Sequence, residues 1–207
     1  EEEVEAEDPE PEVAEEEPEE EPEAEEPEPQ EVEAPQALPV AEVPTEVEEE
    51  IDEEYAELFA QARAAEAESP DKGIDAWRKA GQKARTLRTP RRALARLYTD
   101  LERWNALVEV LKEEADLVAD PPQKIALLNQ MVVCYRDQLG LDVMVVSGLN
   151  QILQLDPARV DVLDALAAQY EKMKRWTDLI GTLKKKAEVV PGTEARVAVW
   201  VQVANLF

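Results

Sequence analysis

Charged side chains are the residues of this sequence best suited to chemistry, and they divide the chain into two unlike parts. Residues 1–50 hold 25 of the 49 acidic residues and no lysine or arginine. Residues 51–207 hold the other 24 acidic residues and all 22 basic ones. General acid–base catalysis by paired carboxylates needs a pocket in which the two acids converge. No such pairing is indicated here, so we interpret the carboxylates as hydrated surface charge.

Histidine is absent and cysteine occurs once, which excludes several kinds of catalytic site. Without histidine there is no triad base, no imidazole metal ligand and no imidazole proton shuttle. The six glycines form no phosphate-binding loop. Cys134 lies in an apolar run, which favours a small core residue and fits a reducing, cytoplasmic setting. We therefore expect no enzyme activity, no metal site and no cofactor.

Basic residues are concentrated between Lys72 and Arg96, where the only acid is Asp75. We call the following six residues the basic patch: Arg78, Lys79, Lys83, Arg85, Arg88 and Arg91. Such a patch can bind nucleic acid or an acidic protein, or it can be a solvated helix face. The pI of about 4.3 and the lack of interleaved aromatic residues argue against nucleic acid.

The first part of the chain is rich in glutamate and proline and contains no aromatic residue. Such a composition cannot bury enough apolar surface to offset backbone ordering, which costs roughly 1–2 kcal/mol per residue. We predict a disordered acidic segment over residues 1–47 and a helical domain over residues 48–207. A flexible tether would give this segment a millimolar local concentration, so an intramolecular contact with the basic patch is a third interpretation of that patch. No apolar run approaches the ~18–20 residues of a membrane span.

The second part of the chain contains an internal repeat. Residues 93–118 and 165–190 lie 72 positions apart, and 11 of their 26 aligned residues are identical. A weaker copy lies between them, so that Tyr98, Tyr135 and Tyr170 are spaced by 37 and then 35 residues. A period near 36 with helical spacing inside each copy is typical of a stacked array of helical hairpins.

Helix boundaries are marked by a polar residue followed by proline, a pair that suits the first turn of a helix. These pairs predict new helices near residues 70, 90, 121 and 157, with another after Thr193, and shorter breaks before Trp104, at Gly140 and before Trp176. The fold class is therefore all-α, an α-solenoid of antiparallel hairpins. The predicted hairpins cover residues about 50–88, 90–119, 121–156 and 157–191, followed by a truncated helix over 193–207.

The last predicted helix has an apolar face that includes Trp200, Val203 and Phe207. A helical array ordinarily closes with a helix whose outer face is polar, because an uncapped repeat exposes its stacking surface. We therefore expect these three residues to be exposed and the chain to continue beyond Phe207.

Each copy also carries apolar and small residues at fixed positions. In the third copy they are Leu163, Leu166, Ala167, Tyr170, Leu179, Leu183 and Pro191. The first four resemble the first-helix signature W-x-x-L-G-x-x-Y of the tetratricopeptide repeat, and the last three resemble its second-helix and terminal positions. The resemblance covers residues 90–191 and, more loosely, residues 50–89 and 193–207. It implies a groove lined by the first helix of each hairpin, where a partner peptide or protein binds.

The resemblance assigns seven residues, which we call the groove positions, to that binding surface. They are Arg92, Arg96, Asn129, Val133, Arg136, Asp164 and Ala168. Family members that bind the acidic C-termini of chaperones use a Lys/Asn/Arg clamp. Arg92 and Arg96 match that clamp only in being polar, and Gln130, Asp161 and Ala165 occupy its other positions. Chaperone binding is therefore not predicted.

Two functions follow from the sequence. The leading prediction is a noncatalytic scaffold that binds a protein or peptide partner through the groove positions. The alternative is an electrostatic regulator, in which the acidic segment masks the basic patch from an anionic partner.

Overall fold

The computed structural model describes residues 52–207, and the predicted disorder of residues 1–47 lies outside them. The described residues form nine α-helices and one π-helical turn, without any strand. The α-helices are α1 Glu53–Glu68, α2 Pro70–Lys83, α3 Thr89–Asp100, α4 Trp104–Leu117, α5 Pro121–Val133, α6 Asp142–Leu155, α7 Val160–Lys172, α8 Trp176–Val189 and α9 Thr193–Ala204. The all-α prediction is confirmed.

Consecutive helices pair as antiparallel hairpins, α1 with α2, α3 with α4, α5 with α6 and α7 with α8. The second helix of each hairpin then packs against the first helix of the next one, and α9 packs against α8. The extensive helix contacts of residues 52–207 all join neighbours in the sequence, which is the organisation of a solenoid. One apolar core runs along the hairpins, and Tyr98, Tyr135 and Tyr170 are all buried in it.

The turn inside the hairpin is the same in the first and third copies. The Arg103 N–H donates to the Tyr98 carbonyl at 2.8 Å, and the Glu102 N–H donates to the Thr99 carbonyl at 3.1 Å. Glu102 has a φ of 54°, so the turn is a Schellman motif with a left-handed residue after the helix. Lys174 has a φ of 56° at the equivalent place in the third copy.

The middle copy accommodates one additional residue at this turn. Here the Leu141 N–H donates to the Tyr135 carbonyl at 2.9 Å, a separation of six residues where the other copies have five. The π-helical turn Cys134–Gln138 widens the end of the helix, and Gly140 takes the left-handed position with a φ of 63°. This additional residue follows Tyr135, so it accounts for one of the 35 positions that separate Tyr135 from Tyr170.

Two of the proline-marked helix starts are found at the predicted residue, Pro70 and Pro121. Only the second has the expected cap, since Asp120 accepts a hydrogen bond from the Gln123 N–H at 3.3 Å, whereas Ser69 makes none through its side chain. Helix α3 begins one residue early. Helix α7 begins at Val160 and not near 157, because Asp156 accepts the Ala158 N–H in a short turn before the helix.

Candidate partner-binding surface

Three of the groove positions occupy the same place in successive copies, two residues before the buried tyrosine. They are Arg96 on α3, Val133 on α5 and Ala168 on α7. The Arg96 side chain is 60% exposed, while Val133 and Ala168 are half-buried. We call these three residues the first-helix strip. Because the hairpins repeat, each of the three residues has the same position within its own hairpin.

Three other groove positions, six residues before each tyrosine, face the second helix of their own hairpin or are buried. Arg92 Nε donates to Glu114 Oε1 at 3.1 Å, which links α3 to α4. Asp164 on α7 forms the equivalent ion pair with Lys186 on α8. Asn129 is only 4% exposed, so it contributes almost nothing to a partner-binding surface.

The ion pairs of the first and third copies have opposite polarity. Arg92 and Asp164 are equivalent residues, and so are their partners Glu114 and Lys186, each pair of equivalents lying 72 residues apart. The middle copy has Asn129 and Ile152 at these places, and Asn129 Oδ1 is buried without a hydrogen bond from any described residue. The interaction between the two helices is thus retained in the outer copies although the charges are exchanged.

Arg136, the last groove position, lies in the π-helical turn and is bound to its neighbour. Its Nε donates to Asp137 Oδ1 at 2.7 Å, and its Nη2 donates to Oδ2 of the same carboxylate at 3.0 Å. This hydrogen bonding holds the pKa of Asp137 below its usual range. A partner that binds Arg136 has to compete with this bidentate pair.

Part of the basic patch is buried between hairpins. Arg88 is 8% exposed and donates to Glu114 Oε1 from Nε at 3.0 Å and from Nη2 at 2.7 Å. Arg91 pairs with Glu113 at 3.3 Å and donates to the Leu87 carbonyl. Arg88 and Arg91 thus join the start of α3 to glutamates of α4. Their charge is therefore largely unavailable to a partner.

The accessible charge of the basic patch belongs to α2 and the residues just after it. Lys79, Lys83 and Arg85 are exposed and form no ion pair within residues 52–207. Arg78 is also exposed, but its Nε donates to the Tyr98 hydroxyl at 2.9 Å. Counting bases along the sequence could not separate these two groups, because the separation depends on which helix face packs.

A cleft of about 460 Å³ opens between α1, α2 and α3. We call it the α1–α3 cleft, and its lining residues are Arg63, Glu66, Ala67, Trp77, Thr89, Arg92, Ala93 and Arg96. Glu66 accepts hydrogen bonds from Trp77 Nε1 at 2.9 Å and from Arg96 Nη2. No sequence pattern pointed to Arg63 or Glu66, because α1 lies outside the basic patch and outside the best repeats.

A second cleft of about 460 Å³ lies between α2, α3 and α4. Arg78, Arg85 and Arg91 line it together with Glu109 and Glu113, so acidic and basic groups are nearly balanced there. Arg91 and Glu113 pair with each other inside it. This cleft therefore has a weaker preference for an anion than the α1–α3 cleft.

Helix α9 and the three residues after it expose part of the apolar face that the sequence indicated. Trp200 and Phe207 are 46% and 92% exposed, as expected. Val203 is 4% exposed, so the expectation that it is accessible is wrong. It lies on the side of α9 that belongs to the common core. The exposed apolar side chains of this helix also include Val197 and Val201.

Cys134 is buried at the junction of two hairpins. Its Sγ lies 3.8 Å from the Trp104 carbonyl oxygen, and burial raises the pKa of its thiol. No cluster of three or more potential metal ligands occurs within the described helices. None of those helices combines the length and apolarity that crossing a bilayer requires.

Comparison with known proteins does not assign the chain to a family. No protein-family model matches it, and no curated protein matches it significantly. Among solved structures, a mutant of MamA is 20% identical with a TM-score of 0.41, covering 64% of this chain and 75% of its own. The "MamA RS-1 ArsTM double mutant" is 11% identical with a TM-score of 0.43, covering 74% of this chain and 94% of its own.

Proposed function

We propose that this protein is a noncatalytic interaction scaffold that binds a peptide segment of a protein partner along the first-helix strip. The observation that carries the proposal is the accessibility of Arg96, Val133 and Ala168 at one repeated position. Neighbouring positions of the same helices, such as Leu94 and Leu166, are buried and hold the array together. A reducing, cytoplasmic setting is part of the proposal.

The strip has the properties that suit extended peptides. Its three residues lie on α-helices whose positions are fixed by the shared core, so little ordering of the protein would accompany binding. The strip changes from a cationic residue at Arg96 to apolar ones at Val133 and Ala168. It therefore favours a peptide with small apolar residues toward Val133 and Ala168, and with an acidic residue at the other end that competes with Glu66 for Arg96.

Peptides selected from a random library against the full chain would test this function. The variants Val133→Arg and Ala168→Arg place a long cation in the strip, and they should weaken a selected peptide at least tenfold. Thr177→Arg is the matched control, because Thr177 is exposed on α8, a second helix. Circular dichroism shows whether each variant stays folded. Equal affinity of both strip variants and the control would reject the proposal.

A second function is favoured by the exposure of Lys79, Lys83 and Arg85. In this regulator the three bases bind an anionic partner, either an acidic protein or nucleic acid, and the acidic segment 1–47 competes for them. Exposed charge pairs are screened over about 8 Å at physiological ionic strength, so binding should weaken as salt rises.

Polyglutamate is a suitable probe for the regulator. Deleting residues 1–47 should strengthen its binding, and reversing Lys79, Lys83 and Arg85 to glutamate should abolish it while helicity is retained. Unchanged binding after both changes would eliminate the regulator and leave the scaffold.

A further inference from the structure

The α1–α3 cleft contains a guanidinium group whose hydrogen-bonding capacity is incompletely used. Arg92 Nε donates to Glu114 Oε1, an oxygen that also accepts two hydrogen bonds from Arg88. Arg92 Nη2 is buried and has no acceptor among residues 52–207. A buried donor without an acceptor costs about 1–3 kcal/mol, more when the group is charged. The Arg92 side chain is 24% exposed, so a rotation that turned Nη2 toward the cleft would let an external acceptor relieve this deficit.

The rest of the lining adds positive charge and small side chains around this donor. Arg63 lines the same cleft and forms no ion pair with any described residue. Among the described residues of the lining, Glu66 is the only acid, and it is already engaged by Trp77 and Arg96. The wall formed by Ala67 and Ala93 leaves room for the methylene groups of an entering side chain.

We propose that this cleft binds the side-chain carboxylate of a glutamate in the partner peptide, between Arg63 and Arg92. The inference rests on the proposed scaffold function and specifies one residue of its ligand. Two guanidinium groups that converge on one carboxylate form charge-assisted hydrogen bonds, which are about twice as strong as neutral ones. Arg96 belongs both to the cleft and to the first-helix strip, so the site lies at one end of the peptide-binding surface.

A pair of blocked peptides tests the inference in the full chain. The first is Gly-Ala-Glu-Glu-Ala-Gly and the second has glutamine in place of both glutamates. In a nuclear magnetic resonance titration, the glutamate peptide should produce saturable shifts at the side-chain Nε–H groups of Arg63 and Arg92. The glutamine peptide should produce none. A third peptide, with phosphoserine in place of both glutamates, tests whether the cleft prefers a phosphate to a carboxylate. Binding of the phosphoserine peptide alone would overturn the carboxylate assignment.

Two single-charge variants localise the binding. Arg63→Gln should weaken the glutamate peptide at least fivefold, whereas Lys79→Gln removes a charge from α2 outside the cleft and should change affinity less than twofold. Equal weakening by both variants would overturn the inference, since it would show diffuse attraction to the basic patch. If library-selected peptides still depend on Val133 while the cleft shows no shifts, only this inference fails. If neither surface responds, the scaffold function fails as well.

Discussion

Gly148 on α6 lies directly against Val132 on α5, and a Cβ atom built on Gly148 would stand 2.6 Å from Val132 Cγ2. Val132 is 1% exposed, so it has no free space into which to move. In the first copy the equivalent residues are Ala95 and Val110, in which the small and the large side chain are exchanged between the helices. Both copies thus have one small residue at this helix crossing. It lies on the first helix in the first copy (Ala95) and on the second helix in the middle copy (Gly148).

This exchange predicts a compensating pair of substitutions. Gly148→Val alone should destabilise the protein by roughly 1–3 kcal/mol, because the new side chain overpacks a closed site. Combining it with Val132→Ala reproduces the arrangement of the first copy and should recover most of the loss. Denaturant unfolding of the single and double variants measures the coupling. Additive losses would show that the two residues do not compete for the same space.

The left-handed turns predict that two exposed residues are replaceable by glycine with a gain in stability. Glu102 and Lys174 have positive φ, a conformation that side chains with a Cβ disfavour, whereas Gly140 occupies the same place in the middle copy. Glu102→Gly and Lys174→Gly should each stabilise the chain by roughly 0.5–1 kcal/mol. The reverse change, Gly140→Ala, should destabilise it. Thermal unfolding provides the comparison, and a loss of stability in both glycine variants would contradict the turn geometry.

Two adjacent glutamates on α4 should differ sharply in their importance for stability. Glu114 is buried and binds Arg88 and Arg92, so Glu114→Gln should cost roughly 3–5 kcal/mol by leaving buried guanidinium charge uncompensated. Glu113 is 64% exposed, and its pair with Arg91 should contribute about 1 kcal/mol at most. Denaturant unfolding of Glu113→Gln serves as the control. Similar losses in the two variants would be inconsistent with the buried ion-pair cluster.

The carboxyl of Asp142 should titrate below its usual range. Hydrogen bonding from Lys172, whose Nζ lies 2.7 Å away, is the main cause of the lowered pKa. Because the folded-state pKa is lowered, the associated stabilisation is present above the unfolded-state pKa and is lost as the pH falls through the folded-state value. Lys172→Gln should raise the pKa of Asp142 and leave that of Asp137 unchanged, as measured by carboxyl-carbon titration. An unshifted Asp142 would rule out the α6–α7 ion pair.

The sequence predicted the hairpins well because apolar periodicity and breaks at Trp104, Gly140 and Trp176 are local signals. The roles of individual polar residues were harder to predict. Asn129 and Arg88 have types that are usually exposed, yet both are buried where hairpins meet. Periodicity identifies which face of a helix is apolar, but it does not show which neighbouring helix supplies an acid to bury an arginine beside it.

Mapping a bound peptide by its effect on amide shifts shows whether the first-helix strip is the binding surface. The full chain is labelled with ¹⁵N and titrated with a library-selected peptide while amide shifts are followed residue by residue. If the first-helix strip binds the peptide, the largest shifts should fall on α3, α5 and α7 around Arg96, Val133 and Ala168. The outward side of the second helices, reported by Thr177, should be unaffected. Shifts concentrated on the second helices or on α9 would show that the peptide binds elsewhere and not along the first-helix strip.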